Sequence, residues 1–350
     1  MTWPTFWKTH TWQTQLLKPL SAITCQIARR RFHKFQKQPS DFSPRPKVIV
    51  VGNIVVGGSG KTPFIQWLGQ QLNRAHIPFG IISRGYGGQA EHYPLEVEKQ
   101  TPASQAGDEP LMLKKHFECP VVVAPKRRAA LQFLTQHYPQ VSVVIADDGL
   151  QHFALPRDFE VVLMDGDRGI GNGLCLPAGP LREPIQRLDF VDAVVVNGAQ
   201  PDSLPRQGWG FWQNLPSEKK FGMQLTPVRF RSVLAPQKTL PLEAFNQKPV
   251  VAMAGIGNPP RFFKTLQQLG AEVEAHPLKD HQAITPQLLQ ALRSDSEKPL
   301  LMTEKDAVKC EGFNKTQTAH WLKNAWYLEI APEASMALWQ KIQVVLQKGK

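Results

Sequence analysis

The chain has 350 residues, 42% of them hydrophobic and 20% charged. That is ordinary for a folded protein long enough for two α/β domains, and it excludes a low-complexity polypeptide. Lys and Arg outnumber Asp and Glu by 41 to 29, a net charge of +12, which favours anionic partners: nucleic acid, phosphorylated ligands or an acidic membrane surface. No stretch approaches the ~18 apolar residues of a membrane-spanning helix, and no unbroken apolar run marks a secretory signal. Cys25, Cys119, Cys175 and Cys310 form no CxxC pair and are expected to be separate reduced thiols of a cytoplasmic protein.

Residues 1–40 hold seven Lys or Arg, no Asp or Glu, and Trp3, Phe6, Trp7 and Trp12. Trp12, Leu16, Leu20, Ile23 and Ile27 recur at spacings of 4, 4, 3 and 4. This is one stripe on a helix, which Pro19 would kink. Arg29, Arg30, Arg31, Lys34 and Lys37 follow, with Phe32 and Phe35 among them. Aromatic rings favour the water–lipid interface and cations favour anionic headgroups. The segment is therefore expected to lie on a membrane without spanning it. A helix packed on the protein's own core, or a basic RNA-binding arm, fits the same composition.

Residues 41–240 are expected to form the nucleotide-binding domain. Lys47-Val-Ile-Val-Val51 is a short apolar run that predicts a buried parallel strand. Gly52-Asn-Ile-Val-Val-Gly-Gly-Ser-Gly-Lys-Thr-Pro63 follows, and Phe64, Ile65, Leu68 and Leu72 then repeat with helical spacing. Strand, glycine loop and helix stand in the order a phosphate loop requires. Gly57, Gly58, Ser59 and Gly60 would turn backbone N–H groups toward phosphate oxygens, and the helix N-terminus adds partial positive charge. Lys61 would reach the β- and γ-phosphates, and the Thr62 hydroxyl would bind magnesium. The standard pattern has a glycine where this chain has Val55, so the loop is a variant.

Further strands are expected at 76–83, 120–124, 141–146, 160–164 and 193–196. Their alternation with helix-like or loop segments predicts a parallel sheet with helices on both faces and ligands beyond the carboxyl ends of the strands. The 141–146 strand ends in Asp147-Asp148, a placement that holds magnesium in P-loop enzymes, and Gln151 and His152 follow. Gly107-Asp-Glu-Pro110 heads an apolar helix over 111–117. Asp108 there is either a base for an acceptor hydroxyl or a cap complementing the helix dipole. The loops Arg84-Gly-Tyr-Gly-Gly88, Asp165-Gly-Asp-Arg168 and Gly179-Pro-Leu-Arg-Glu-Pro184 complete the set.

Residues 241–248 predict a linker, and 241–350 a second, smaller α/β domain. Its strand at 249–254 leads through Gly255-Ile-Gly-Asn-Pro-Pro260 into a helix over 261–269, with another strand at 300–303. A lone GxG without an acid at the end of the next strand argues against dinucleotide binding.

In order along the chain come Gly57-Gly-Ser-Gly-Lys-Thr-Pro63, Ser83-Arg-Gly-Tyr-Gly87, Gly107-Asp-Glu-Pro110 and Asp147-Asp-Gly-Leu-Gln-His152. Gly179-Pro-Leu-Arg-Glu183, Ala254-Gly-Ile-Gly-Asn-Pro259, Asp280-His281 and Thr303-Glu-Lys-Asp-Ala307 continue the series. This ordered set resembles the tetraacyldisaccharide 4′-kinases of bacterial lipid A synthesis, from the N-terminal helix to about residue 310. The resemblance implies ATP- and Mg2+-dependent transfer of the γ-phosphate to the 4′-hydroxyl of a tetraacyldisaccharide 1-phosphate, giving lipid IVA. It implies Asp108 as the base with His281 as its partner, and Glu109 and Asp147 near Mg2+, where Asp148 is expected too. It places Gln151 and His152 at further active-site positions, to which Arg84 is added, and Arg128 and Arg182 near phosphate. It also implies two lobes that close on the substrate. Ser59 stands where the family often has threonine, and Pro277-Leu-Lys precedes Asp280 where an aromatic residue is usual.

The expected partners are the lipid acceptor and an anionic membrane surface, without nucleic acid. The expected place is the cytoplasmic face of the bacterial inner membrane, peripherally bound, and the expected state a monomer. A regulatory GTPase or motor ATPase is one alternative, although Thr303-Glu-Lys-Asp306 has its lysine one place late for a guanine-reading element. A basic nucleic-acid-binding module is another and leaves the paired carboxylates unexplained. A non-enzymatic membrane scaffold would have no use for the phosphate loop.

Overall fold

The valine-rich runs become strands because β-branched side chains favour extended backbone and pack on both faces of a buried sheet. The computed structural model describes residues 3–36, 45–201, 210–279, 282–293, 297–310 and 319–348. Among these, thirteen strands form one sheet. They are β1 (Lys47–Gly52), β2 (Phe79–Ser83), β3 (Leu95–Glu96), β4 (Val121–Val123), β5 (Val143–Asp147), β6 (Phe159–Asp165), β7 (Ala193–Asn197), β8 (Lys220–Ser232), β9 (Thr239–Leu240), β10 (Pro249–Ala254), β11 (Glu272–Pro277), β12 (Leu300–Thr303) and β13 (Ala325–Ala334). Their order is β11-β10-β12-β13-β8-β7-β6-β1-β5-β2-β4-β3, with β9 beside β8.

Strands β8, β7, β6, β1, β5, β2 and β4 are mutually parallel, and so are β11, β10, β12 and β13. An antiparallel ladder between the long strands β8 and β13 joins the two sets. The chain thus has the expected α/β architecture, a mostly parallel sheet with helices; for description, the part of this one sheet from β8 to β3 is called the larger lobe and the part from β11 to β13 the smaller.

The helices are α1 (Trp12–Gln36), α2 (Lys61–Arg74), α3 (Ala103–Ala106), α4 (Asp108–His116), α5 (Arg127–His137), α6 (Gly210–Asn214), α7 (Pro259–Gln268), α8 (Pro286–Leu292), α9 (Glu304–Cys310), α10 (Ala319–Leu322) and α11 (Met336–Gln347). The strand period of two divides them between two cores. Ile49 and Val51 of β1 face the core of Phe64 and Leu68 of α2, Leu113 of α4, and Leu338 and Ile342 of α11. Val48 and Val50 face that of Leu131 and Leu134 of α5, together with Trp3 and Trp7. In the smaller lobe Val250 and Ala252 of β10 face one way, while Val251 and Met253 face the other.

Several boundaries differ from the sequence expectation. Strand β2 begins at Phe79 because His76 takes a left-handed φ of 53° in the turn that closes α2. Helix α7 begins at Pro259, where a missing N–H is tolerated. Helix α1 runs on through Pro19. The 241–248 segment holds a 3-10 turn, Leu242–Phe245, whose buried Phe245 ring lies 4.8 Å from that of Phe230.

The N-terminal segment serves two surfaces. Trp12, Leu16, Leu20, Ile23 and Ile27 are 47–72% exposed. The opposite side of α1 packs on the body: Thr14 and Ser21 are buried, Ser21 Oγ donates to Cys175 O at 2.8 Å, and the Phe32 ring lies 5.0 Å from that of Phe190. Two expectations need correction here. Trp3 and Trp7 are buried in the core, donating to Val56 O and Pro177 O at 3.0 Å each. Cys25 and Cys175 are not separate thiols; they form a disulfide that ties α1 to the body, while Cys119 and Cys310 are free. No helix among the described residues is long and apolar enough to cross a membrane.

Candidate active site

Strand β1 delivers the chain into the glycine loop. Gly57 and Gly60 take φ of 105° and 91°, left-handed values that cost little without a Cβ. Asn53 Nδ2 braces the turn, donating to Gly57 O at 3.1 Å and Ser59 Oγ at 3.2 Å. Gly60 stands at the N-cap of α2 without a side-chain cap. The N–H groups of the first turn are thus left for an anion. Lys61 and Thr62 open the helix, with Thr62 buried. From the other side, Arg168 donates to Gly58 O and, at 2.9 Å, to Gly257 O. The glycine loop of the smaller lobe therefore sits against the phosphate loop.

Strand β5 lies beside β1 and carries Asp147 to its tip. Asp147 is 2% exposed and accepts from Ser83 Oγ at 2.9 Å through Oδ2. Its Oδ1 is buried without a hydrogen-bond partner. Burial, then the neighbouring Glu109 carboxylate, raise its pKa to about 6 despite Lys61. Asp148 turns at φ 47° and faces Lys61 Nζ and Arg182 Nη1, each 3.4 Å away. Burial alone would raise its pKa, but Lys61, Arg182 and Arg127 bring it down to about 2.

The donor set fits a small hard cation. A buried carboxylate oxygen without a partner, a second carboxylate close enough to repel it, and a buried threonine at the helix start are oxygen donors. Among the described residues no group of three His, Cys, Asp or Glu forms a complete cage. Mg2+ usually takes one or two carboxylates together with substrate phosphates and water.

Helix α4 brings the second pair of acids. Asp108 Oδ2 lies 3.7 Å from Lys309 Nζ, and Glu109 Oε1 accepts from Lys305 Nζ at 2.9 Å. Both lysines come from α9 of the smaller lobe, and at the far end of α4 His116 meets Glu304, the first residue of α9, at 2.8 Å. Gln151 does not present its amide to the site; it donates to Asn53 O at 3.0 Å and Glu183 Oε1 at 2.7 Å. His152 is half-buried, and burial together with Arg127 and Arg84 lowers its pKa to about 4. Arg84 is exposed. Arg128 is exposed on α5, whereas its neighbour Arg127 is buried and donates to Asp147 O at 3.3 Å. His281 lies outside the described residues.

The model of a family described as tetraacyldisaccharide-1-P 4′-kinase, LpxK, matches residues 13–347. Tetraacyldisaccharide 4′-kinases of Hydrogenovibrio crunogenus and Methylobacillus flagellatus are 46% and 43% identical. Those matches cover 95% and 96% of this chain and 94% and 93% of the relatives. The chain belongs to the tetraacyldisaccharide-1-P 4′-kinase family. It is an enzyme, a lipid A 4′-kinase. A solved structure, LpxK of Aquifex aeolicus described as an "apo" form in complex with ATP, is similar at a TM-score of 0.73 and 26% identity, covering 95% of this chain and 99% of that one.

Within the lipid A 4′-kinase, sequence reasoning missed several site residues. Arg127 carries no motif of its own, and only its burial on α5 and its hydrogen bond to Asp147 O bring it to the β5 tip. Lys305 and Lys309 had a usable signal: they stand four apart in Glu304–Cys310 and so share a helix face. Arg168 stands out only as part of its loop and Asn53 only as part of the glycine loop; that they brace the turn depends on tertiary packing, which brings Gly58 O and Gly257 O to Arg168 and Gly57 O and Ser59 Oγ to Asn53.

Proposed function

We propose that the Gly57–Thr62 loop binds the phosphates of ATP and that Thr62, Asp147 and Glu109 would hold Mg2+ beside them. The single observation that carries this reading is the buried, unpartnered Asp147 Oδ1 beside the loop lysine's ion pair with Asp148. Mg2+ would draw charge from the phosphate oxygens as the phosphoryl group moves. Lys61 and Arg182 supply positive charge to the same region, and Asp148 holds both in place while no nucleotide is bound. Asp108 takes the proton of the 4′-hydroxyl, with His281 as the partner the family resemblance assigns to it. Arg127 and His152 shape the β5 tip, and Gln151 fixes Glu183. The two lobes hinge along the β8–β13 ladder and close on the lipid.

The exposed stripe of α1 supports a peripheral seat on an anionic membrane. The acceptor is the lipid A precursor tetraacyldisaccharide 1-phosphate, and the seat places the site at the lipid surface, on the cytoplasmic side where ATP is available. The Mg2+ dependence of transfer tests the metal reading. Asp147→Asn should lower kcat by about 10² or more and demand more Mg2+ for half-maximal rate. An unchanged Mg2+ profile in a folded variant would remove Asp147 from the metal site.

A further inference from the structure

Lys309 lies where an uncompensated cation would be costly. Its side chain is 7% exposed, and a buried ammonium loses several kcal/mol of hydration unless its donors are met. An ammonium has three donors; two oxygens accept hydrogen bonds from this one, and a third, on a carboxylate, stands within ion-pair reach. Asp306 Oδ1 is 3.1 Å from Nζ, Gln282 O is 3.3 Å away and Asp108 Oδ2 is 3.7 Å away.

Two of those oxygens belong to the smaller lobe and one to the larger. Asp306 is fully buried and rigidly held: its Oδ2 accepts from Thr303 Oγ1 at 2.6 Å and from Gly255 N at 2.9 Å. Gly255 opens the loop whose Gly257 touches the phosphate loop at Gly58. A continuous set of polar contacts thus runs from the glycine loop of the smaller lobe through Asp306 and Lys309 to Asp108. The neighbouring Lys305–Glu109 pair seats α9 on α4 one turn earlier. An ordinary surface pair would be exposed and would not end on a candidate base.

We propose that Lys309 is a positioning residue for phosphoryl transfer: it reaches from the smaller lobe to hold the Asp108 carboxylate where the acceptor hydroxyl arrives. The inference rests on the reading of Asp108 as the base. The role of Lys309 is exerted through Asp108, so that the base is set only when the lobes are seated together. A misplacement of about 1 Å at a reacting group can cost around 10²-fold in rate.

The test is steady-state kinetics of the full chain with ATP, Mg2+ and tetraacyldisaccharide 1-phosphate in detergent micelles. Lys309→Gln should lower kcat by about 10- to 100-fold, with KM for ATP little changed. Lys309→Arg should recover most of that loss. Adding Lys309→Gln to Asp108→Asn should cost nothing further, because residues acting as one unit are not additive. Wild-type kcat in Lys309→Gln, or full multiplication of the two losses, overturns the inference. If the Gln variant does not fold, Lys309→Met replaces it under the same criteria. Failure of both to fold, judged by thermal unfolding, would make the residue structural and overturn it too. The two readings separate cleanly. An active Asp108→Asn sinks the base itself, whereas a damaged Asp108→Asn beside an undamaged Lys309→Gln sinks only the role of Lys309.

Discussion

Gly60 combines a left-handed φ with close packing: a Cβ there would meet Asn197 Nδ2 at 2.4 Å and Met223 Cε at 3.2 Å. Gly60→Ala should therefore lower stability by about 1–3 kcal/mol and weaken ATP, read by thermal unfolding and by KM for ATP. Unchanged values of both would mean that the turn is not as constrained as its geometry indicates. Asp108→Ala should lower kcat by about 10²–10⁴ while nucleotide affinity, measured by calorimetry, stays near wild type; retained turnover would free Asp108 from the mechanism. At this scale the glycine loop and the Asp147-Asp148 strand tip were legible, because short motifs carry them; the role of Asp108 rests on the family resemblance, since its own motif fits a helix cap equally well. Arg127 was not legible, since only the register of α5 decides which of two adjacent arginines turns inward.

Helices α4 and α9 meet through charge, Lys305 with Glu109, Lys309 with Asp108 and Glu304 with His116. Burial alone would lower the pKa of His116, but the hydrogen bond and charge of Glu304 raise it above its ordinary 6.5. The contact therefore stabilises fully below the unfolded value and fades as pH rises through the raised one. Glu304→Gln should destabilise the protein at pH 6 and progressively less toward pH 8–9, by urea unfolding; a pH-independent difference would show that His116 does not carry charge there. Helix α1 presents its apolar stripe outward, and fully burying one such side chain is worth about 1.5–3 kcal/mol. Leu16→Glu with Ile23→Glu should abolish most binding to vesicles containing anionic lipid, by sedimentation, while soluble fold and ATP binding persist. Equal sedimentation would assign the stripe elsewhere. The stripe was legible from its spacing, but which side faces the body was not. Thr14, Ser21 and Cys25 are small or polar, and only the burial of Thr14 and the bonds of Ser21 and Cys25 to Cys175 reveal them as the packed side.

One sheet runs through both lobes, and the β8–β13 ladder that joins them brings α9 to α4 and Gly257 to Gly58. The alternation of strands and helices predicted the parallel halves. The antiparallel junction escaped because β8 and β13 leave many residues half-exposed and lack a clear apolar run. The return of α11 to the core beneath α2 escaped as well, being a contact between the chain's end and its first domain. In the proposed function this junction assembles one phosphoryl-transfer site at a lipid surface. The most direct test of that function follows the label of [γ-³²P]ATP with wild-type protein, Mg2+ and tetraacyldisaccharide 1-phosphate. One labelled lipid phosphate, at the 4′ position, is expected for each ADP formed, with little ADP when lipid is left out. Equal ADP release with and without lipid, and no label in the lipid, would contradict it.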